Sequence, residues 1–547
     1  MIELLVVGVT AVLVIAAAAV AGPRLGIAAP LVLVAVGVAA GFLPVFDSTH
    51  IEAEWILEGI LPPLLYSSAV SMPGMNFRRE FGAISGLSVL LVVGSALLLG
   101  VFFMLVVPGL GFAWGVALGA IVSPTDAVAT SIIKQTSVSP RVVALLDGES
   151  LLNDATALVL LRTAVVAVAS TFSFWGALGT FGYSVVVAVL LGGLVGVLNL
   201  VVRRRVTDPA VNTVISFAVP FAAAVPAERL GASGLVATVV AGLITGVRAP
   251  RDLSPQNRLS DAQNWRTVEL VLEGAVFLTM GVQIKSIVTA VEQEHAGVGA
   301  AVLIASGALV LTVLVRAAYV APLLAVLLWR ARQGVKLQTR LRDIQERMAT
   351  PEGRQETFQE VNRGRRASGR ALERFESRVT QGIATVDYFV RQPLGWREGT
   401  AVVWAGMRGA VTVAAAQTLP EDTPQRPVLV LVAFAVAALS LLVQGGTIGP
   451  LLRLITKTPG TAGTGDEQAR IMEMLRTSTA AVPPPPERAA RDFAAARDYQ
   501  LAVIAAQRSA LLDARDHGTF DADVLTEALA GLDASQIAIE MRGSFAG

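Results

Sequence analysis

Apolar stretches of about twenty residues, the length that crosses a bilayer core, recur from Ile2 to Ile455 with few polar intervals between them. They lie near 2–21, 25–44, 54–73, 80–107, 111–134, 141–169, 174–202, 210–227, 231–247, 264–286, 297–329, 398–419 and 426–456. The expected fold is therefore an all-α polytopic membrane protein of about 13 crossings, of which the fifth, sixth and twelfth are the most interrupted. Composition agrees. Soluble domains average roughly 25% charged residues, whereas here 16% are charged, 54% are hydrophobic and the mean hydropathy is +0.64. The first stretch, Met1 to Gly22, has Glu3 and no basic residue ahead of its apolar run, so it reads as a retained span and not a cleaved signal.

Loop charge supplies an orientation. Loops after odd-numbered spans carry Arg24, Arg78, Arg79, Lys134, Arg141, Arg203, Arg204, Arg205, Arg248, Arg251 and Arg258; those after even-numbered spans carry Arg229 and Arg426. Basic loops stay in the cytoplasm, which puts the N-terminus outside and the C-terminus inside. Residues 1–456 form the membrane domain in this reading. Its insertion, 330–397, holds fifteen Lys/Arg against eight Asp/Glu and reads as a solvated cytoplasmic helical hairpin, with anionic lipid headgroups as an alternative contact. Residues 457–547 form a cytoplasmic tail. After a stiff Pro483–Pro486 spacer, Leu501, Ile504, Leu511, Leu512, Val524, Leu525 and Leu529 suggest two amphipathic helices around a Gly518 turn, a regulatory or assembly element.

Several chemistries drop out. The absence of cysteine excludes thiol catalysis, disulfides and Cys-based metal sites. Gly460 and Gly465 have phosphate-loop spacing, but Asp466 stands where the lysine belongs. His50, His295 and His517 all fall in loops or the tail, and no Ser/His/Asp set or metal-ligand cluster lies within the spans. Neither an enzyme, a cofactor nor a nucleic-acid partner is expected; the lipid bilayer is. Gly192-x-x-x-Gly196 permits close helix contact and slightly favours a homodimer.

A charge at the bilayer centre costs roughly 3 kcal/mol or more, so such groups are rare and functional. Here they concentrate in two neighbouring spans. In Ser123-Pro124-Thr125-Asp126 the proline opens the helix, leaving carbonyl, hydroxyl and carboxylate oxygens together, a set that suits a hard monovalent cation. In Asp147-Gly-Glu-Ser-Leu-Leu-Asn-Asp154, Ser150 and Asp154 share one helix face and Glu149 and Asn153 another. Asp154 precedes an apolar run to Leu161 and should lie deep, while Asp147 suits a helix N-terminus. Glu273, Arg316 and Arg408 are the remaining intramembrane charges considered. Buried opposite charges pair, so a Glu273–arginine bridge is expected, with proton sensing as the other role for Glu273. Arg162, two turns beyond Asp154, receives no role.

The strings Ser-Pro-Thr-Asp at 123–126 and Gly-Glu-Ser-Leu-Leu-Asn-Asp at 148–154 resemble the bacterial sodium/proton antiporters of monovalent cation:proton antiporter family 1. Leu61-Pro-Pro-Leu-Leu-Tyr66, Glu273 to Gly281 and Gly406-Met-Arg-Gly-Ala410 agree; many relatives have proline where this chain has Ala127. The resemblance implies two inverted six-helix repeats, spans one to six and eight to thirteen, with the interrupted spans five and twelve crossing. It places Gly406, Arg408 and Gly409 opposite Thr125 and Asp126. It also implies that Asp154 binds Na⁺ and H⁺ in turn, with Thr125, Asp126 and Ser150 as cation ligands and Asn153 as an orienting group. The Asn-Asp pair implies electroneutral exchange across a bacterial plasma membrane. K⁺/H⁺ exchange on the same scaffold and a non-transporting membrane sensor are the alternatives.

Overall fold

The computed structural model of the chain describes residues 2–25, 28–46, 53–126, 128–134, 136, 138–169, 174–293, 297–348, 350–361, 369–455, 464–484 and 493–544. Ala127, His50, His295, Pro485 and Pro486 lie outside them. Every regular element among the described residues is helical. In chain order these are α1 (Ile2–Leu25), α2 (Ala29–Gly41), α3 (Leu61–Ser71), α4 (Gly74–Ser85), α5 (Val92–Val106), α6 (Phe112–Val122), α7 (Val128–Lys134), α8 (Pro140–Ala169), α9 (Phe174–Arg203), α10 (Pro209–Arg229), α11 (Gly234–Asp252) and α12 (Pro255–Val282). There follow α13 (Ile284–Gln293), α14 (Val298–Arg347), α15 (Pro351–Val361), α16 (Gly369–Arg391), α17 (Trp396–Trp404), α18 (Ala410–Gln417), α19 (Arg426–Ser440), α20 (Gly446–Ile455), α21 (Thr464–Ala480), α22 (Phe493–His517) and α23 (Ala522–Ser544).

The helices group into two units. The first comprises Met1–Ala249, Ser260–Leu323 and Trp396–Lys457. Its outer faces stay apolar: Leu5, Leu13, Leu105, Leu190 and Leu194 are all exposed, which suits lipid and not water. Eight of the described helical stretches are long and apolar enough to cross a bilayer, and Ala29–Gly41 and Phe112–Val122 are shorter apolar helices. Two bundles are distinguishable inside this unit. Helix α8 packs against α4, α5 and α6. Helices α3, α9, α10, α11 and α12 share a separate core built from Tyr66, Ala188, Val219, Ala223, Ala237 and Trp265. Gly192 and Gly196 lie directly against the backbone of Ala237 and Ala241. That glycine pair therefore joins α9 to α11 within one chain, and its small residues are not left free for a dimer contact.

Two arginines expected in solvated basic loops are buried instead. Arg141 pairs with Glu80, both about 1% exposed. Arg203 meets Asp261 at 2.9 Å and donates to Asn212 Oδ1 at 2.8 Å. A buried charge needs such partners to offset its lost hydration, and the two carboxylates come from elements distant in sequence. The start of α10 is more local: Asp208 accepts from the N–H groups of Ala210 and Val211 at 2.8 and 3.0 Å, an N-cap followed by proline at the first helical position.

The second unit comprises Pro250–Leu259, Leu324–Gly395 and Thr458–Gly547. Span eleven was expected to end near 329, but α14 runs unbroken through Arg347, because 330–347 is rich in good helix formers and holds no Gly-Pro stop. The insertion is thus an extension of α14 followed by α15 and α16. In the tail, α22 and α23 turn at Gly518 with φ 69°, a left-handed conformation that glycine adopts without strain. Leu511, Leu512 and Leu525 are buried between these helices. Arg258 grips Asp533 with one guanidinium nitrogen on both oxygens, Arg508 reaches the same carboxylate at 2.9 Å, and Arg251 meets Asp516 at 2.6 Å.

Candidate ion-binding site

Two broken helices make the site. Helix α6 ends at Val122 and α7 resumes at Val128; α17 ends at Trp404 and α18 resumes at Ala410. The breaks touch, since the Asp126 N–H donates to the Met407 carbonyl at 2.7 Å. Gly409 sits so close to the Asp126 carboxylate that a Cβ there would collide with it. The crossing expected at Gly406, Arg408 and Gly409 is the one observed.

A helix break leaves carbonyls without partners. The sequence suggested that these oxygens were available to a cation, but arginines take several of them. Arg408 donates to the carbonyls of Val122 at 2.9 Å, Ser123 at 3.2 Å and Gly406. Arg316 Nε donates to Val402 at 2.8 Å. Ser440 accepts the Arg408 N–H at 2.9 Å and donates to Gln444, which in turn donates to the Trp404 carbonyl at 3.2 Å. Paired in this way, the broken segments are held by their own side chains.

Glu149 and Arg316 form the ion pair of this region, with Nη1–Oε1 at 2.5 Å and Nη2–Oε2 at 2.7 Å. The expected Glu273–arginine bridge is therefore corrected. Arg316 is taken by Glu149, Arg408 by carbonyls, and no ion pair joins Glu273 to an arginine among the described residues. From the Glu149 side the chain of hydrogen bonds continues inward. The Thr125 hydroxyl donates to Glu149 at 3.3 Å, and Asn153 Nδ2 donates to the Thr125 hydroxyl at 2.7 Å and to its carbonyl at 3.1 Å. Asn153 thus orients Thr125 while the adjacent Asp154 points elsewhere. Asp126 caps α7 through the Val128 N–H at 3.1 Å, and the Ser150 hydroxyl donates to the Asp147 carbonyl at 3.0 Å, leaving its lone pairs free to accept. Asp147 itself pairs with Lys134 at 3.0 Å.

Thr125, Asp126, Ser150 and Asp154 open together into a cavity of about 100 Å³, which Glu269 and Glu273 of α12 and Ser68 of α3 also line. That volume accommodates a small cation with several waters. Glu269 was missed by sequence reasoning. Its signal was the four-residue step to Glu273, which puts both carboxylates on one face of α12; Glu269 accepts from Ser67 at 3.2 Å. Among the described residues no group of three or more His, Cys, Asp or Glu is arranged to hold a metal. The oxygens here belong to a more open site, shared among carboxylates and hydroxyls.

An all-helical membrane bundle whose broken helices meet beside a carboxylate-lined cavity is a secondary ion transporter in architecture. The chain belongs to the sodium/hydrogen exchanger family, whose transmembrane region matches residues 8–348 and 376–454. It is accordingly a multi-pass membrane transporter of the cation/proton antiporter class and not an enzyme. An uncharacterised Na⁺/H⁺ exchanger of Mycobacterium tuberculosis is 28% identical over 82% of this chain and 75% of its own length. A Na⁺/H⁺ antiporter of Aphanothece halophytica is 25% identical over 83% and 76%. A Bacillus subtilis sodium, potassium, lithium and rubidium/H⁺ antiporter is 29% identical over 49% and 41%. The sodium proton antiporter structure from Methanocaldococcus jannaschii superposes with a TM-score of 0.55 at 15% identity, covering 83% of this chain and 99% of that one. At that identity the likeness is one of fold.

Proposed function

We propose that this chain exchanges Na⁺ for H⁺ one for one, with Asp154 binding the two ions in turn. The observation that carries the reading is the lining of the cavity: Asp126, Asp154, Glu269 and Glu273 face it, and among the described residues no lysine or arginine does. Carboxylates gathered around a buried cavity need a proton or a cation as counter-charge, and a site that accepts either, but not both, couples their movements. Asp154, Asp126, Thr125 and Ser150 supply the Na⁺ oxygens. Asn153 orients Thr125, while Arg408 and the Glu149–Arg316 pair hold the breaks in place. Asn153 is neutral, so the Asn153–Asp154 pair offers a single carboxylate, which supports electroneutral exchange. Access alternates as the α4–α8 bundle, with the broken helices, shifts against the α3/α9–α12 bundle.

The arginine distribution supports an outside N-terminus, a cytoplasmic C-terminus and residence in the bacterial plasma membrane. Residues 1–456 carry transport in this reading, and 457–547 regulate it. The homodimer that Gly192-x-x-x-Gly196 favoured loses that support, since both glycines are used within the chain. K⁺ is the second cation to test, given the ions in the Bacillus relative's name and the room in the cavity. Purified protein in liposomes with an internal pH dye should dissipate a proton gradient on addition of Na⁺, Li⁺ or K⁺. Silence to all three would favour the membrane sensor.

A further inference from the structure

Arg162 lies eight residues beyond Asp154 on α8, about 12 Å along a helix that rises about 1.5 Å per residue. The α8 residues lining the cavity are Ser150, Leu151 and Asp154, so the cavity lies toward the opposite end of the helix from Arg162. Arg162 Nη1 donates to Glu228 Oε2 at 2.8 Å. Glu228 belongs to the last turn of α10, and its other oxygen accepts the Gly234 N–H at the start of α11 at 3.0 Å. The carboxylate is therefore fixed by its own bundle and offers one free edge to α8.

The pair joins the two bundles. Helix α8 packs with α4, α5 and α6, whereas α10 and α11 share the core of Val219, Ala223, Ala227 and Ala237. We propose that Arg162–Glu228 is a latch, closed while Asp154 faces the cavity and opened each time Asp154 is presented to the other side. The proposal rests on the antiport reading. Helix α8 is continuous from Pro140 to Ala169, so a displacement that carries Asp154 past the α3/α9–α12 bundle carries Arg162 with it. Both partners are partly solvated, with side-chain exposures of 61% and 33%. Water rehydrates them when they part, so the latch biases the two access states and does not lock them. An exposed pair of this kind shifts an equilibrium by about twofold to fivefold. A much tighter bond would stall the cycle.

The chain has no cysteine, so Arg162→Cys with Glu228→Cys can be linked selectively by a reversible bifunctional thiosulfonate reagent. Flux in one batch of proteoliposomes is read before linking, after linking and after reduction. Linking should stop exchange and reduction should restore it. Undiminished flux in fully linked protein overturns the latch, whereas no flux before linking tells against the antiport reading on which it rests. In a second arm, Arg162→Gln and Glu228→Gln should each shift the ratio of apparent Na⁺ affinities on the two membrane faces about twofold to fivefold in the same direction. The swap Arg162→Glu with Glu228→Arg should restore the ratio. A lowered Tm with an unmoved ratio would show a merely structural pair and overturn the proposal.

Discussion

Arg316 holds Glu149 through two parallel hydrogen bonds, Nη1–Oε1 at 2.5 Å and Nη2–Oε2 at 2.7 Å, with the two side chains 3% and 2% exposed. The pair joins α14 to α8 at the level of the broken helices, and its third donor, Nε, stabilises the end of α17 through the Val402 carbonyl. A two-point guanidinium–carboxylate contact fixes orientation as well as charge. It therefore sets where Thr125 and Asn153 sit, without Glu149 itself lining the cavity.

Glu149→Gln should accordingly destabilise the protein, because it strands a buried arginine. Loss of one partner of a buried pair costs about 3–5 kcal/mol. Thermal unfolding in detergent should show a clear drop in Tm, with exchange falling as a consequence. A variant as stable as the parent would mean that Arg316 is satisfied by Val402 and water alone.

Glu273→Gln should behave in the opposite way. Its carboxylate faces the cavity with no arginine partner among the described residues, so folding loses little; substitutions away from such pairs usually stay within about 0.5 kcal/mol. The expected effect is a displaced pH profile of exchange at nearly unchanged Tm. A large loss of stability with an unaltered profile would restore the structural role that the sequence suggested.

Asp154→Asn should reduce exchange to background at every Na⁺ concentration while expression and Tm remain normal. Asparagine keeps the shape and some oxygen ligation but cannot exchange a proton for a cation at neutral pH. Measurable Na⁺-driven proton flux in this variant would move the reacting carboxylate elsewhere, with Asp126 the first candidate.

Stoichiometry is read from voltage. One H⁺ for one Na⁺ moves no net charge, so clamping the potential with valinomycin and K⁺ should leave Na⁺-driven flux nearly unchanged. Strong stimulation by an imposed potential would require a second titrating carboxylate, and Glu269 or Glu273 would be the group to replace next.

Truncation near residue 465 should leave exchange measurable and shift its pH or cation dependence. The tail removed by this cut includes Asp533, gripped by Arg258 and Arg508, and Asp516, held by Arg251 at 2.6 Å. Arg251 and Arg258 flank the turn between α11 and α12, and α12 carries Glu269 and Glu273. Complete loss of flux in a truncated protein that still inserts and folds would make the tail part of the transport machinery.

Much of the architecture is legible in the chain because its determinants are local. Twenty apolar residues must become a helix in a bilayer wherever they occur, since no other local structure satisfies the backbone there. Pro124 marks the first helix break in the same local way, and the Ser150–Asp154 spacing puts both oxygens on one face without any tertiary knowledge. The second break is less legible. Between Trp404 and Ala410 no proline appears, and the interruption is stabilised by its own Arg408 and by Arg316, Ser440 and Gln444 from outside the segment.

Sequence alone thus determined the membrane class, the first broken helix and the burial of Asp154, all of which follow from apolar length, backbone chemistry and the cost of burying charge. Which charge pairs with which was decided only by the folded chain. Glu149 meets Arg316 across 167 residues and Asp261 meets Arg203 across 58, whereas Glu273 turns to the cavity. Opposite charges announce that they need partners, but Coulomb attraction is indifferent to chain distance. The assignment depends on which helices the apolar faces bring together, and that is a property of the whole bundle.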